Sequence, residues 1–102
     1  MTRHAVPELD PLIHQPVRLQ IMAALCHLAA SEQVDFSFLK AKLDLSDGNL
    51  GAHLLTLEQA GHIEIEKTFV ARRPKTFVSA TPSGRKAFAA HVQALQAILR
   101  SQ

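Results

Sequence analysis

The chain has a single cysteine, no acidic residue after Glu66, no lysine or arginine between Lys42 and Lys67, and no apolar run of membrane-spanning length. Each absence excludes something. A lone Cys26 cannot close an internal disulfide, which rules out a disulfide-stapled secreted scaffold. No positively charged stretch followed by an apolar core opens the chain as a secretory signal would, so the expected setting is cytoplasmic. The longest apolar run, near Ile21 to Leu28, is broken by His27 and falls short of the ~18 residues a bilayer helix needs, so no membrane association is expected. There is also no glycine-rich phosphate loop, no metalloprotease histidine pair and no nucleophile elbow. Catalytic residues and a cofactor are therefore not expected. Six histidines and Cys26 invite a metal site, but Cys26 and His27 are adjacent on one helix and face different ways, and no close-spaced ligand pair occurs. No metal is expected, and Cys26 reads as a small buried hydrophobe.

What is present describes a globular protein. The 102 residues are 47% hydrophobic and 20% charged, the size and composition of one domain with one core, spanning residues 1–102. The formal net charge of +2 conceals an uneven distribution. Residues 1–66 hold four basic residues against nine acidic ones, a net −5, whereas the seven charges from Lys67 onward are all basic. A polyanion is the natural partner for the second part, although a charge split alone fits a solvated surface equally well.

Periodicity gives the elements. Val17, Ile21, Leu25 and Leu28 recur at helical spacing behind Pro16, predicting a helix from about Pro16 to Ala30, with a short turn at Asp10 and Pro11 ahead of it. Asp35 caps a short helix whose inner face is Phe36, Leu39 and Leu43, with Lys40 and Lys42 pointing away from the core. Ser46 caps a third helix with Leu50, Leu54 and Leu57 inward, closed by Gly61. Ile63, Glu64, Ile65 and Glu66 alternate as a half-buried strand. They pair with Thr76 to Thr81 across a basic connection from Ala71 to Lys75. Thr81 and Pro82 begin a last helix with an apolar stripe of Phe88, Val92, Leu95 and Leu99, widened by Ala87, Ala94 and Ile98. The fold class is α+β, mainly α: a three-helix core, a two-stranded hairpin and a C-terminal helix. Two short helices joined by the tight connection from Leu43 to Ser46, followed by a hairpin, describe a winged helix-turn-helix.

The run LSDGNLGAHLLTLEQAGHIEIEKTFVARRPKTFVSATPSGRKAF resembles winged-helix regulators related to the MarR and ArsR families, in their small stand-alone branch, and LDPLIHQPVRLQIMAAL resembles that branch's first helix. The resemblance implies a prokaryotic transcriptional regulator. Its third helix enters the major groove of double-stranded DNA, its hairpin touches phosphate or minor groove, and its terminal helices pair two subunits. It names no effector ligand.

Helical geometry agrees. With Leu50, Leu54 and Leu57 inward, Gly48, Asn49, Ala52, Thr56 and Gln59 face outward. Asn49 can pair with adenine, Thr56 can contact a base or phosphate, and Ala52 can meet a thymine methyl. Ser46, Asp47 and Gly48 lie at the helix start, where free N–H groups attract phosphate, although Asp47 would repel it and Ser46 serves equally as a simple cap. His53 sits on the edge of the buried face, in either a packing or a binding role. The third helix lacks the arginine that most often reads guanine, leaving phosphate attraction to Lys40, Lys42, Arg72, Arg73 and Lys75. Gly51 costs up to about 1 kcal/mol against alanine, which close approach to DNA or another helix would justify. The apolar N-terminal positions Leu9, Leu12 and Ile13, with Phe88, Val92, Leu95, Ile98 and Leu99 of the last helix, are expected at a homodimer interface formed by about residues 9–30 and 82–101. The competing reading is a winged-helix module that binds protein rather than DNA.

Overall fold

A computed structural model describes residues 8–30 and 32–101. Asp10 organises the entry: its carboxylate accepts from Leu12 N (3.0 Å) and its carbonyl from His14 N (2.7 Å), closing the expected turn. The first helix, α1, spans Pro16–Cys26, with Gln15 Oε1 accepting from Arg18 N (2.9 Å) as its cap. It stops at Cys26 rather than Ala30, and the reason is a distant residue. The Arg85 guanidinium donates to Leu28 O (2.9 Å) and Ala29 O (3.0 Å), and at 3.4 Å to Leu25 O and Cys26 O. A cation at a helix C-terminus satisfies the last carbonyls and opposes the negative end of the dipole. Arg85 thus finds its acceptors in backbone carbonyls at and just past the end of α1.

A two-residue strand, β1 (Val34–Asp35), precedes α2 (Phe36–Leu43), where Asp35 Oδ1 accepts from Ser37 N at 2.8 Å. Ser46 then caps α3 (Asp47–Gln59) by accepting from Asn49 N at 3.1 Å, and Gly61 closes that segment at φ 79°. Strands β2 (Ile63–Val70) and β3 (Arg73–Ala80) form the hairpin, and α4 (Pro82–Arg100) ends the described chain.

Two expectations about the sheet need correction. It has three antiparallel strands in the order β1-β3-β2, because Val34 pairs with Val78 and Asp35 with Phe77; two residues are too few to show any periodicity. The hairpin is also longer than its alternating segments suggested, since Arg73, Pro74 and Lys75 belong to β3 and the connection shrinks to Ala71 and Arg72. Pro74 is tolerated because β1 reaches only to Phe77, so β3 has a partner on one side alone at that level.

The core joins Ile21, Met22 and Leu25 of α1, Leu39 of α2, Leu50, Leu54 and Leu57 of α3, and Ile63, Val78 and Ala80 of the sheet. Ile13, expected at a subunit interface, is fully buried within its own chain and offers a partner no surface. The Thr-Pro-Ser-Gly-Arg turn locks α4 onto the end of α3. Thr81 Oγ1 accepts from Gly84 N (2.9 Å) and donates to Gly61 O (2.6 Å), Ser83 Oγ donates to Gly61 O (3.0 Å), and Thr81 N donates to His62 O (3.0 Å). Gly84 permits this approach, since a Cβ there would stand 2.0 Å from His62 O.

Candidate nucleic-acid interface

Burial of Leu50, Leu54 and Leu57 fixes the rotation of α3 and leaves Gly48, Asn49, Ala52 and Gln59 exposed. Thr56 and His53 lie half-buried on the flank. The Thr56 hydroxyl donates to Ala52 O (3.1 Å), so its proton is committed to the helix while its oxygen remains an acceptor. No atom comes within 4 Å of a Cβ placed on Gly51, so no neighbouring helix demands that glycine.

His53 has a partner that periodicity did not reveal. Arg18 Nη1 lies 3.2 Å from His53 Nδ1, and Arg18 Nε donates to Leu12 O at 2.6 Å. A guanidinium only donates, so Nδ1 is the acceptor and the ring proton sits on Nε2. Burial, reinforced by the Arg18 charge, holds His53 below the ordinary histidine range. The ring is therefore a neutral N–H donor on the flank of α3.

Two cations are engaged before any ligand arrives. Lys40 Nζ pairs with Asp47 Oδ1 at 2.9 Å, which answers the repulsion Asp47 would present at the start of α3. An exposed pair of this kind contributes little to stability and exchanges partners readily. Lys75 Nζ pairs with Asp35 Oδ2 at 2.9 Å, and that bond together with the Ser37 N–H holds the Asp35 carboxyl below its usual range. Lys75 is thus anchored beside the α2 cap instead of riding on the hairpin tip. Arg73, Lys75 and Asp47 line one groove between the hairpin and the starts of α2 and α3. Lys42 lies elsewhere: it stands 6.0 Å from the Phe38 ring centroid and lines a groove between α1 and α2.

The tip itself is a two-residue turn with Ala71 at φ 51° and Arg72 at φ 66°. Positive φ at both central residues is the turn that matches the right-handed twist of a hairpin, and it normally recruits asparagine and glycine. Here it thrusts Arg72 and Arg73 into solvent.

At the other end of the molecule, α4 carries Phe88 against the core, Val92, Leu95 and Ile98 half-exposed, and Leu99 71% exposed; Leu9 and Leu12 are half-buried. Between these apolar groups stands a histidine pair that sequence spacing gave no means of finding. His91 is 2% exposed; its Nδ1 accepts from Asp10 N (3.1 Å), and its Nε2 lies 3.2 Å from His14 Nδ1. An acceptor Nδ1 requires the ring proton on Nε2, so His91 donates to His14. That proton also denies Nε2 to a metal, and among the described residues no cluster of three or more ligating side chains occurs. Burial, with His14 adding to it and Asp10 opposing it, holds His91 below the ordinary histidine range. Burial pushes the Cys26 thiol up despite the nearby Arg85, so the thiol is not activated. Among the described residues no helix is long and apolar enough to cross a membrane.

A helix-turn-helix with its second helix exposed, a basic hairpin beside it and a matching sequence over residues 17–99 meet in the family described as winged helix DNA-binding domains. The chain belongs to that family. This winged helix protein is 42% identical over 77 residues to an uncharacterized protein of Methanocaldococcus jannaschii, covering 76% of this chain and 80% of that one. It superposes with a TM-score of 0.80 on a transcriptional regulator homologue from Pyrococcus horikoshii, at 32% identity over 88% of this chain and 86% of the other. NadR, solved in complex with 4-hydroxyphenylacetate, matches with a TM-score of 0.67 at 20% identity over 89% of this chain and 64% of that one. HlyU from Vibrio cholerae gives 0.59 at 21%, over 89% and 86%. The last two show likeness of fold alone.

Proposed function

We propose that the protein is a transcriptional regulator that binds duplex DNA as a homodimer, with α3 in the major groove and the hairpin against the backbone or minor groove. The observation that carries this reading is the groove in which Asp47, at the start of α3, is brought together with Arg73 and Lys75 of the hairpin. Asn49 is the principal base reader, with Ala52 and Thr56 beside it and His53 donating to phosphate from the flank. Arg72 and Arg73 hold phosphates directly, while Lys40 and Lys75 exchange carboxylates for phosphates on binding. Without an arginine on α3, affinity is strongly salt-dependent and sequence preference modest. The self-complementary surface is Leu9 and Leu12 with Val92, Leu95, Ile98 and Leu99, and it sets two α3 helices about one turn of DNA apart, suiting a near-palindromic site.

One observation favours a protein partner instead: Leu55 is half-exposed on α3, above a groove bordered by Phe36 and Ile65. Binding to random-sequence duplexes over a salt series separates the two. Replacing both Arg72 and Arg73 by alanine lowers the slope of log affinity against log salt by about 2, at ~0.9 per phosphate lost. An unchanged slope would remove the main support for the DNA reading. A monomeric mass at micromolar concentration would refute the homodimer.

A further inference from the structure

Phe69 has no place in the interior. It is 73% exposed, the largest value among the exposed large hydrophobic residues described, and it lies immediately before Val70, which closes the hairpin turn with Arg73. The strand register shows where it points. Ile63 pairs with Ala80, Ile65 with Val78, Lys67 with Thr76 and Phe69 with Pro74, and alternation along a strand puts these pairs on one face of the hairpin. The inner end of that face is buried in the core, and its middle borders α3 at Gly51, Leu55 and Glu58. Phe69 and Pro74 continue the same face toward the hairpin tip, on the side of the hairpin that α3 occupies. The acidic residues Glu64 and Glu66 fall on the opposite face.

The surroundings of this ring select its partner. Lys67 precedes it on the same face and Arg72 and Arg73 follow it at a turn only two residues wide. An apolar ring bracketed by cations on a narrow projection matches a partner with anionic rails and apolar layers between them. Stacked bases between two phosphate backbones have that form. Apolar side chains entering the minor groove part a base step and kink the duplex, and pyrimidine–purine steps part most easily.

We infer that Phe69, backed by Pro74, is an apolar wedge that enters the minor groove of duplex DNA and unstacks a base step while Arg72 and Arg73 hold the flanking phosphates. The inference rests on the duplex-DNA reading above and deepens it. It supplies a source of sequence preference, the deformability of the DNA, that needs no arginine on α3.

The test is a short duplex carrying 2-aminopurine at a central TA step, titrated at low salt beside a matched duplex lacking such steps. The wild-type protein raises 2-aminopurine fluorescence and prefers the TA duplex about tenfold. Phe69→Ala abolishes both effects while keeping the wild-type salt slope, Phe69→Leu retains part of each, and the Arg72→Ala/Arg73→Ala variant lowers the slope instead. The ring is exposed, and unchanged thermal unfolding of Phe69→Ala confirms that the fold is intact. Wild-type binding without a fluorescence rise, or Phe69→Ala behaving as wild type, overturns the wedge and leaves the DNA reading standing. Failure of the wild-type protein to bind either duplex overturns both, as does Phe69-dependent binding to phosphatidylglycerol vesicles in place of DNA.

Discussion

The same substitution at two helix glycines is expected to have opposite signs. A methyl group on Gly84 would stand 2.0 Å from His62 O, 2.7 Å from its carbonyl carbon and 2.8 Å from its Cα. All three are backbone atoms, so no rotamer change relieves the clash, and the start of α4 must retreat by more than about 1 Å to reach ordinary contact. Retreat breaks the Thr81 N–H bond to His62 O and loosens the Thr81 cap, each worth about 1 kcal/mol, and it drags Arg85 off the α1 carbonyls, where charged hydrogen bonds are worth about 1.5–3 kcal/mol. Gly84→Ala should therefore destabilise by about 3–4 kcal/mol, a large part of the ~5–15 kcal/mol typical of a domain, and lower Tm by about 15 °C or more. At Gly51 nothing lies within 4 Å of the added methyl, so alanine brings only its better helix propensity and a gain of up to about 1 kcal/mol. Urea unfolding of the two variants measures both. A Gly84→Ala protein within about 1 kcal/mol of wild type, or a destabilised Gly51→Ala protein, would refute the packing argument.

Three further outcomes are expected. His91 titrates below its unfolded value, so the stability it contributes is fully present above pH ~6.5 and is lost as pH falls through its folded pKa; protonation puts a second N–H against Asp10 N, and a His91→Gln variant should lose this acid sensitivity in unfolding midpoints measured from pH 7 downward, whereas an unaltered pH profile would contradict the assignment. Ala71→Gly should raise the unfolding free energy measured by urea titration by up to about 1 kcal/mol, because an L-residue held in the left-handed region costs about 1–2 kcal/mol and glycine's greater unfolded-state entropy offsets part of the gain; a loss of stability would show that the turn is unstrained. Arg85→Met keeps the apolar stem but removes the donors that close α1, and a loss of about 2 kcal/mol is expected by thermal or urea unfolding, with no loss refuting the capping role.

The residues that were legible are those whose job is local. Pro16, Asp35, Ser46 and Thr81 announce helix starts, Gly61 announces a stop, and the leucine spacing of α3 dictates which side faces out. The residues that were not legible act across the chain. Arg85 ends α1 from 56 or more positions away, and His91 meets Asp10 and His14 from 81 and 77 positions away, so no window of sequence contains either interaction. The strand β1 exists only because Val78 and Phe77 offer it a partner. At the hairpin, the run Ala71-Arg72-Arg73-Pro74-Lys75 has loop composition, yet the twist of the paired strands carries Arg73 to Lys75 into β3 and forces a turn normally signalled by asparagine and glycine onto alanine and arginine. In the candidate interface, Asn49 and Ala52 were found by rotation alone, whereas the pairing of Lys40 with Asp47, Lys75 with Asp35 and Arg18 with His53 required three dimensions.

Backbone amide shifts of the ¹⁵N-labelled protein, followed by NMR during titration with a duplex, test most directly whether α3 and the hairpin address one ligand together. The expected result is one continuous set of perturbed amides covering Ser46 to Gln59 and Lys67 to Thr76, with α4 beyond Val92 unaffected. Perturbations confined to one of the two elements, or centred on the α1–α2 groove around Phe38 and Lys42, would contradict it.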